Sequence, residues 1–139
     1  MKVKTNDKKR TASVHSLGCR LNQYEGISLE GKLRDAGYEI VPFGNEADLG
    51  VINTCTVTNE ADAKSRTAIR KFGRKNPEAI TVVVGCYSQI SANEVAMVEG
   101  VDYVIGNHDK MNFLNYVGDQ KPESPVIIRE RIDRNDFTL

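Results

Sequence analysis

The chain has 139 residues, no net charge, 40% hydrophobic and 27% charged residues, and three cysteines. This composition is that of an ordinary globular domain and excludes collagen-like, low-complexity and disulfide-framework classes. No stretch approaches the roughly 18 apolar residues of a membrane span, and Met1 to Arg10 is polar and basic with no apolar core, unlike a secretory signal. An odd cysteine count without such a signal points to a cytoplasmic protein in which a structural disulfide is not expected.

In chain order, residues 1–10 form a basic tail carrying Lys2, Lys4, Lys8, Lys9 and Arg10. Residues 11–17 read as a first buried strand. Asn22 and Glu25 have capping-box spacing for the helix that follows, with Gly26, Leu29, Leu33 and Ala36 on its inner face and Gly37 as its C′ residue. Glu39 to Val41 is a short second strand stopped by Pro42 and Gly44. Leu49 to Asn53 is a third. A longer helix runs from Asn59 to about Lys75, with Ala61, Ser65, Ala68, Ile69 and Phe72 facing inward and most of its basic residues outward. Asn76-Pro77 ends it.

Ile80 to Val84 is nearly continuous and β-branched, the mark of a strand covered on both faces. Ser91 to Glu94 is a capping box for a short helix carrying Val95 and Val98 and closed by Gly100. Val101 to Ile105 is a fifth strand, and Met111, Leu114 and Val117 mark a last helix. Val126 to Ile128 reads as an extra edge strand or the start of a further unit. Strands alternating with helices imply βαβ units and right-handed crossovers. The expected fold is a flavodoxin- or Rossmann-like α/β three-layer sandwich with a five-stranded parallel sheet in order 2-1-3-4-5.

Cys19, Cys55 and Cys86 each sit just past an apolar strand: the first, third and fourth. In the expected order these strands are adjacent, about 4.8 Å apart, so the outer two ends lie about 10 Å apart. Ligands of such sheets bind beyond the carboxyl ends of the strands at the switch point, here between strands 1 and 3. Four readings of the thiols compete. They could be separate buried cysteines. They could join His15 or His108 at a zinc ion, although ligands 36 and 31 positions apart have poor zinc spacing. One could be a nucleophile, with His15 four positions before Cys19. The best reading is an iron–sulfur cluster on three thiolates with one iron left open. Gly18 and Gly85, each just before its cysteine, would let the backbone turn close to the metal.

Leu17-Gly18-Cys19-Arg20-Leu21-Asn22-Gln23-Tyr24, Asn53-Thr54-Cys55-Thr56-Val57-Thr58 and Gly85-Cys86-Tyr87-Ser88-Gln89 resemble, jointly and in this order, the N-terminal domain of the methylthiotransferases, radical S-adenosylmethionine enzymes with two clusters. The resemblance covers roughly residues 11–118. It implies an auxiliary [4Fe–4S] cluster on Cys19, Cys55 and Cys86, whose open iron carries the sulfur to be inserted. Asn22 to Tyr24 and Thr56 to Arg66 are most similar to the type that adds a methylthio group at C2 of N6-threonylcarbamoyladenosine beside the tRNA anticodon. The partners so implied are tRNA and a downstream radical-S-adenosylmethionine domain, with neither membrane nor DNA.

The C-x-x-x-C-x-x-C motif of the catalytic cluster is not in this sequence. The chain is therefore expected to be an excised N-terminal domain, with residues 119–139 as linker and S-adenosylmethionine and the second cluster held elsewhere. Such a piece would bind a cluster without turning over, and no catalytic acid or base is expected in it. Arg66 and Arg70, in the basic stretch 60–75, are candidate RNA contacts; a solvated helix face is the competing reading. The alternative function is a non-catalytic flavodoxin-like module binding a metal or a partner protein.

Overall fold

A computed structural model describes residues 10–17, 20–54, 59–85, 92–117 and 122–128. In order these form β1 (Thr11–Ser16), α1 (Arg20–Asp35), β2 (Glu39–Ile40), β3 (Leu49–Thr54), α2 (Asn59–Lys75), β4 (Ile80–Gly85), α3 (Ala92–Ala96), β5 (Tyr103–Gly106), a 3-10 segment (Asn107–Asn115) and β6 (Val126–Ile128). All strands pair in parallel, in the order β2-β1-β3-β4-β5-β6. The order of the first five is the expected one. The short sixth strand adds an edge beyond β5, with Val126 opposite Tyr103.

The two faces of the sheet bury different residues, as the two-residue side-chain period requires. On one face Ala12, Leu49, Val51, Val82, Val84, Tyr103 and Ile105 pack under Leu29 and Leu33 of α1 and Phe113 of the 3-10 segment. On the other, Ile52, Val83 and Val104 pack under Ile69 of α2 and Val95 of α3. Gly50 lies on that second face, where a methyl group would collide with the Phe72 ring. β3 and β4 are buried along their whole length because both faces are covered.

Four expectations are corrected. The helix α1 starts at Arg20, so Asn22 lies inside its first turns and does not cap it. Ala36 is exposed, because the helix stops at Asp35 and the chain turns through Gly37 at φ +100°. The fifth strand starts at Tyr103, with Val101 and Asp102 preceding it. The last helix is a 3-10 segment with a non-helical Asn112 (φ −108°, ψ 20°) inside it, which is typical of short connectors.

The connection between β2 and β3 shapes the second face. Residues 41–48 pass across β1 without a helix and form only an isolated bridge between Phe43 and Asn45. The loop is tied down at its end by the Ala47 N–H, which donates to Asn76 Oδ1 at 3.0 Å, and by the Asp48 carboxylate, which accepts from the Thr11 N–H at 2.9 Å. β1 is therefore covered on this side by a loop and not by a helix. An open space of about 680 Å³ remains between that loop and α2.

Candidate metal-site rim at the carboxyl edge of the sheet

β1, β3 and β4 end side by side. Ser16 is opposite Asn53, and Thr54 is opposite Gly85. Cys55 and Cys86 come next in sequence after Thr54 and Gly85, and Cys19 comes three residues after Ser16. The three cysteines themselves lie outside the described residues, as does Gly18. Among the described residues no three His, Cys, Asp or Glu side chains gather closely enough to hold a metal ion.

What the structure does describe is the rim of residues just before each cysteine in sequence, and it is cross-linked by side-chain amides. The Asn22 amide donates to the carbonyl oxygens of Leu17 (2.6 Å), Asn53 (3.0 Å) and Thr54 (3.2 Å). In return the Asn53 amide donates to the Asn22 carbonyl oxygen at 2.9 Å and to Ser16 Oγ at 3.3 Å. The Thr54 hydroxyl donates to the Val84 carbonyl at 2.7 Å, and the Gln23 amide to that of Ser16 at 2.8 Å. Asn22, Asn53 and Thr54 are buried, so their bonds also remove the cost of unpaired polar atoms, whereas Gln23 is exposed.

Two glycines make the rim this tight. Gly26 of α1 lies against Ser16, where a methyl group would strike the hydroxyl. Gly85 ends β4 at φ +107°, and a methyl group there would meet the Thr54 carbonyl oxygen. The sequence reading of Gly85 as a tight turn before Cys86 agrees with that dihedral.

Beneath the rim lies a residue that sequence reasoning missed. Lys110 is 2% exposed. Its ammonium lies 2.6 Å from Glu25 Oε1 and donates to Asn22 Oδ1 at 3.3 Å. A lone Lys in a polar stretch gives no sign that it will be buried. The capping-box residues Asn22 and Glu25 are thus both used in tertiary contacts, because carbonyls at the ends of β1 and β3 and an ammonium brought by the 3-10 segment are better partners than the helix's own first turn. Asn53 Oδ1 is buried and accepts no hydrogen bond from a described residue.

His15, weighed as a fourth metal ligand, lies on the second face of β1. Its ring stacks on Phe43 (centroids 4.4 Å, 14°), and Phe43 in turn stacks on Phe72 (5.8 Å, 17°). The ring is half-buried, and desolvation pushes its pKa below the ordinary 6.5. The side chain of His108 lies outside the described residues. Arg66 and Arg70 stand one turn apart on the side of α2 facing α3, where Arg66 pairs with Glu94 at 3.6 Å. The structure brings neither of them to the rim's polar cluster.

The chain matches the model of the family described as "Uncharacterized protein family UPF0004" over residues 11–106. It is 43% identical over 117 residues to the threonylcarbamoyladenosine tRNA methylthiotransferase MtaB of Bacillus subtilis, covering 84% of this chain and 26% of that protein. It is 43% identical over 133 residues to the Aquifex aeolicus protein of the same name, covering 91% and 32%. It is 30% identical over 128 residues to a tRNA-2-methylthio-N(6)-dimethylallyladenosine synthase of Clostridium tetani, covering 88% and 28%. The chain thus spans between a quarter and a third of the length of these curated relatives. The order of motifs, the parallel sheet and the extended match together show that the chain belongs to this family, the N-terminal domain of the methylthiotransferases.

Proposed function

We propose that this chain is the sulfur-delivering N-terminal domain of a tRNA methylthiotransferase that acts at C2 of N6-threonylcarbamoyladenosine beside the anticodon. The observation that carries this is the side-by-side termination of β1, β3 and β4, the three strands that each precede a cysteine, within a domain whose relatives are named for that activity. Cys19, Cys55 and Cys86 would hold a [4Fe–4S] cluster. The donor chemistry fits: three soft thiolates leave one iron open, and the tight turn at Gly85 leaves no side chain between the end of β4 and β3. When bound, the cluster supplies sulfur to the substrate carbon.

The chain's own residues position. The reciprocal Asn22 and Asn53 amides lock the ends of β1 and β3 to the start of α1. The Thr54 hydroxyl locks β3 to β4. These bonds fix the spacing of the stems from which the cysteine loops depart, which is the preorganisation such a site requires. S-adenosylmethionine and its own cluster belong to the downstream radical-S-adenosylmethionine domain, with residues 11–118 as the cluster domain, 1–10 as a basic tail and 119–139 as the linker. The enzyme works in the cytoplasm, where tRNA is its partner.

Anaerobic reconstitution with iron and sulfide tests the reading. Broad visible absorbance and about four irons per chain are expected, and Cys55→Ala should lose them. One zinc per chain with no sulfide would instead establish the alternative, a non-catalytic metal-binding module. Supplied with S-adenosylmethionine, reductant and tRNA, this chain alone should give no methylthio product; product from it would overturn the division of labour.

A further inference from the structure

The cavity between the loop of residues 41–48 and α2 has a floor and a rim of different chemistry. Its floor carries the near-parallel rings of His15, Phe43 and Phe72. Its rim carries Lys64, Lys71 and Lys75 of α2. Spacings of seven and eleven return these lysines to one side of the helix, while Arg66 and Arg70 lie across the buried stripe on the α3 side. Among the described residues no carboxylate pairs with Lys64, Lys71 or Lys75. At about 680 Å³ the space is of ligand-pocket size.

We propose that this cavity is a subsite for one nucleotide of a single-stranded RNA segment, with its base against the His15–Phe43 ring column and its flanking phosphates on Lys64, Lys71 and Lys75. The inference rests on the tRNA reading above for the source of the nucleotide and on the cavity for the contact. Aromatic rings beside cations that have no carboxylate partner among the described residues match a base joined to a phosphodiester. An apolar peptide would leave the lysines without a use, and a bare phosphate would leave the rings without one. His15 is the penultimate residue of β1, about 3.3 Å short of the strand's end. Leu17, which follows the strand, also lines the cavity. The cavity therefore runs along α2 from Leu17 and Lys64 beside the carboxyl edge to Lys75 and Asn76 near the amino edge, and its first end suits a neighbour of the nucleotide being modified.

The test uses the 139-residue chain with three probes: a fluorescent single-stranded oligoadenylate RNA, an abasic ribose-phosphate oligomer of equal length, and adenosine monophosphate. The wild type should bind the RNA about tenfold more tightly than the abasic oligomer, the increment of one stacked base. Phe43→Leu should erase that difference. The double variant Lys71→Gln/Lys75→Gln, whose changes are on the surface and safe for folding, should keep the difference. It should also flatten the plot of log affinity against log salt by about 0.7 for each lysine removed.

Equal binding of RNA and abasic oligomer by the wild type would overturn the proposal, as would an unchanged salt slope in the lysine variant. Adenosine monophosphate bound as tightly as the RNA would also overturn it, in favour of a free-nucleotide site. Cluster reconstitution separates this proposal from the function it rests on. RNA held through the cavity by a chain that assembles no cluster would sink only the latter, and a cluster-bearing chain with an inert cavity only the former.

Discussion

The ammonium of Lys110 lies 2.6 Å from Glu25 Oε1, joining residues 85 positions apart beneath the carboxyl edge of the sheet. The two partners are unequally buried: the Lys110 side chain is 3% exposed and that of Glu25 31%. Removing the lysine leaves a carboxylate that water can reach, whereas removing the carboxylate leaves an ammonium that water cannot. Lys110→Met should therefore cost about 1–2 kcal/mol, and Glu25→Ala more, about 3 kcal/mol. Urea unfolding of the two variants measures the asymmetry, and equal losses would mean that the pair behaves as a surface ion pair.

The Asn22 amide faces three carbonyl oxygens. Asn22→Asp keeps the shape and removes the donor, so acceptors would confront acceptors. A loss of about 2–3 kcal/mol is expected. Iron retention after anaerobic reconstitution should fall with it, because the β1 and β3 stems would separate. Stability unchanged to within a few tenths of a kcal/mol would show that the amide bridge is incidental.

Two glycines give opposite outcomes. Gly85 combines φ +107° with contact against the Thr54 carbonyl, so Gly85→Ala should destabilise by about 2 kcal/mol or more. Gly31 is in the body of α1 with open space where a Cβ would go, so Gly31→Ala should stabilise by about 0.5–1 kcal/mol. Thermal melts of both variants check the pair.

His15 imposes a pH dependence. Burial lowers its pKa below 6.5 in the folded chain, so the unfolded chain binds the proton more readily. Stability should thus be full above about pH 6.5 and decline as pH falls through that value. In His15→Phe, which keeps a ring on Phe43, that decline should vanish. Unfolding midpoints measured across this window decide it, and an identical slope in the variant would assign the effect elsewhere.

The lysine stripe and the arginine pair of α2 were indistinguishable as sequence. Both recur at helical spacing within residues 60–75, and the basic stretch singled out Arg66 and Arg70. The buried stripe of Ser65, Ala68, Ile69 and Phe72 separates them. Arg66 looks toward Glu94, and the lysines toward the cavity. Which cations border open space depended on the missing helix between β2 and β3, a connection whose path no local propensity specifies. Asn22, Glu25 and Lys110 make the same point. The spacing of Asn22 and Glu25 suggested a helix cap and Lys110 carried no signal, and partners distant in sequence gave all three their roles.

By itself the sequence determined the alternation of strands and helices, the parallel order of the first five strands and the grouping of the three cysteine-bearing strands. These follow from apolar periodicity and from the handedness of crossovers, which act locally and leave few topologies. Only the tertiary structure decided the amide lacing of the rim, the burial of Lys110 and the ring-lined cavity beside α2. Those depend on which buried polar atoms find partners once distant segments meet, and hydrogen bonds of that range leave no periodic trace in the chain.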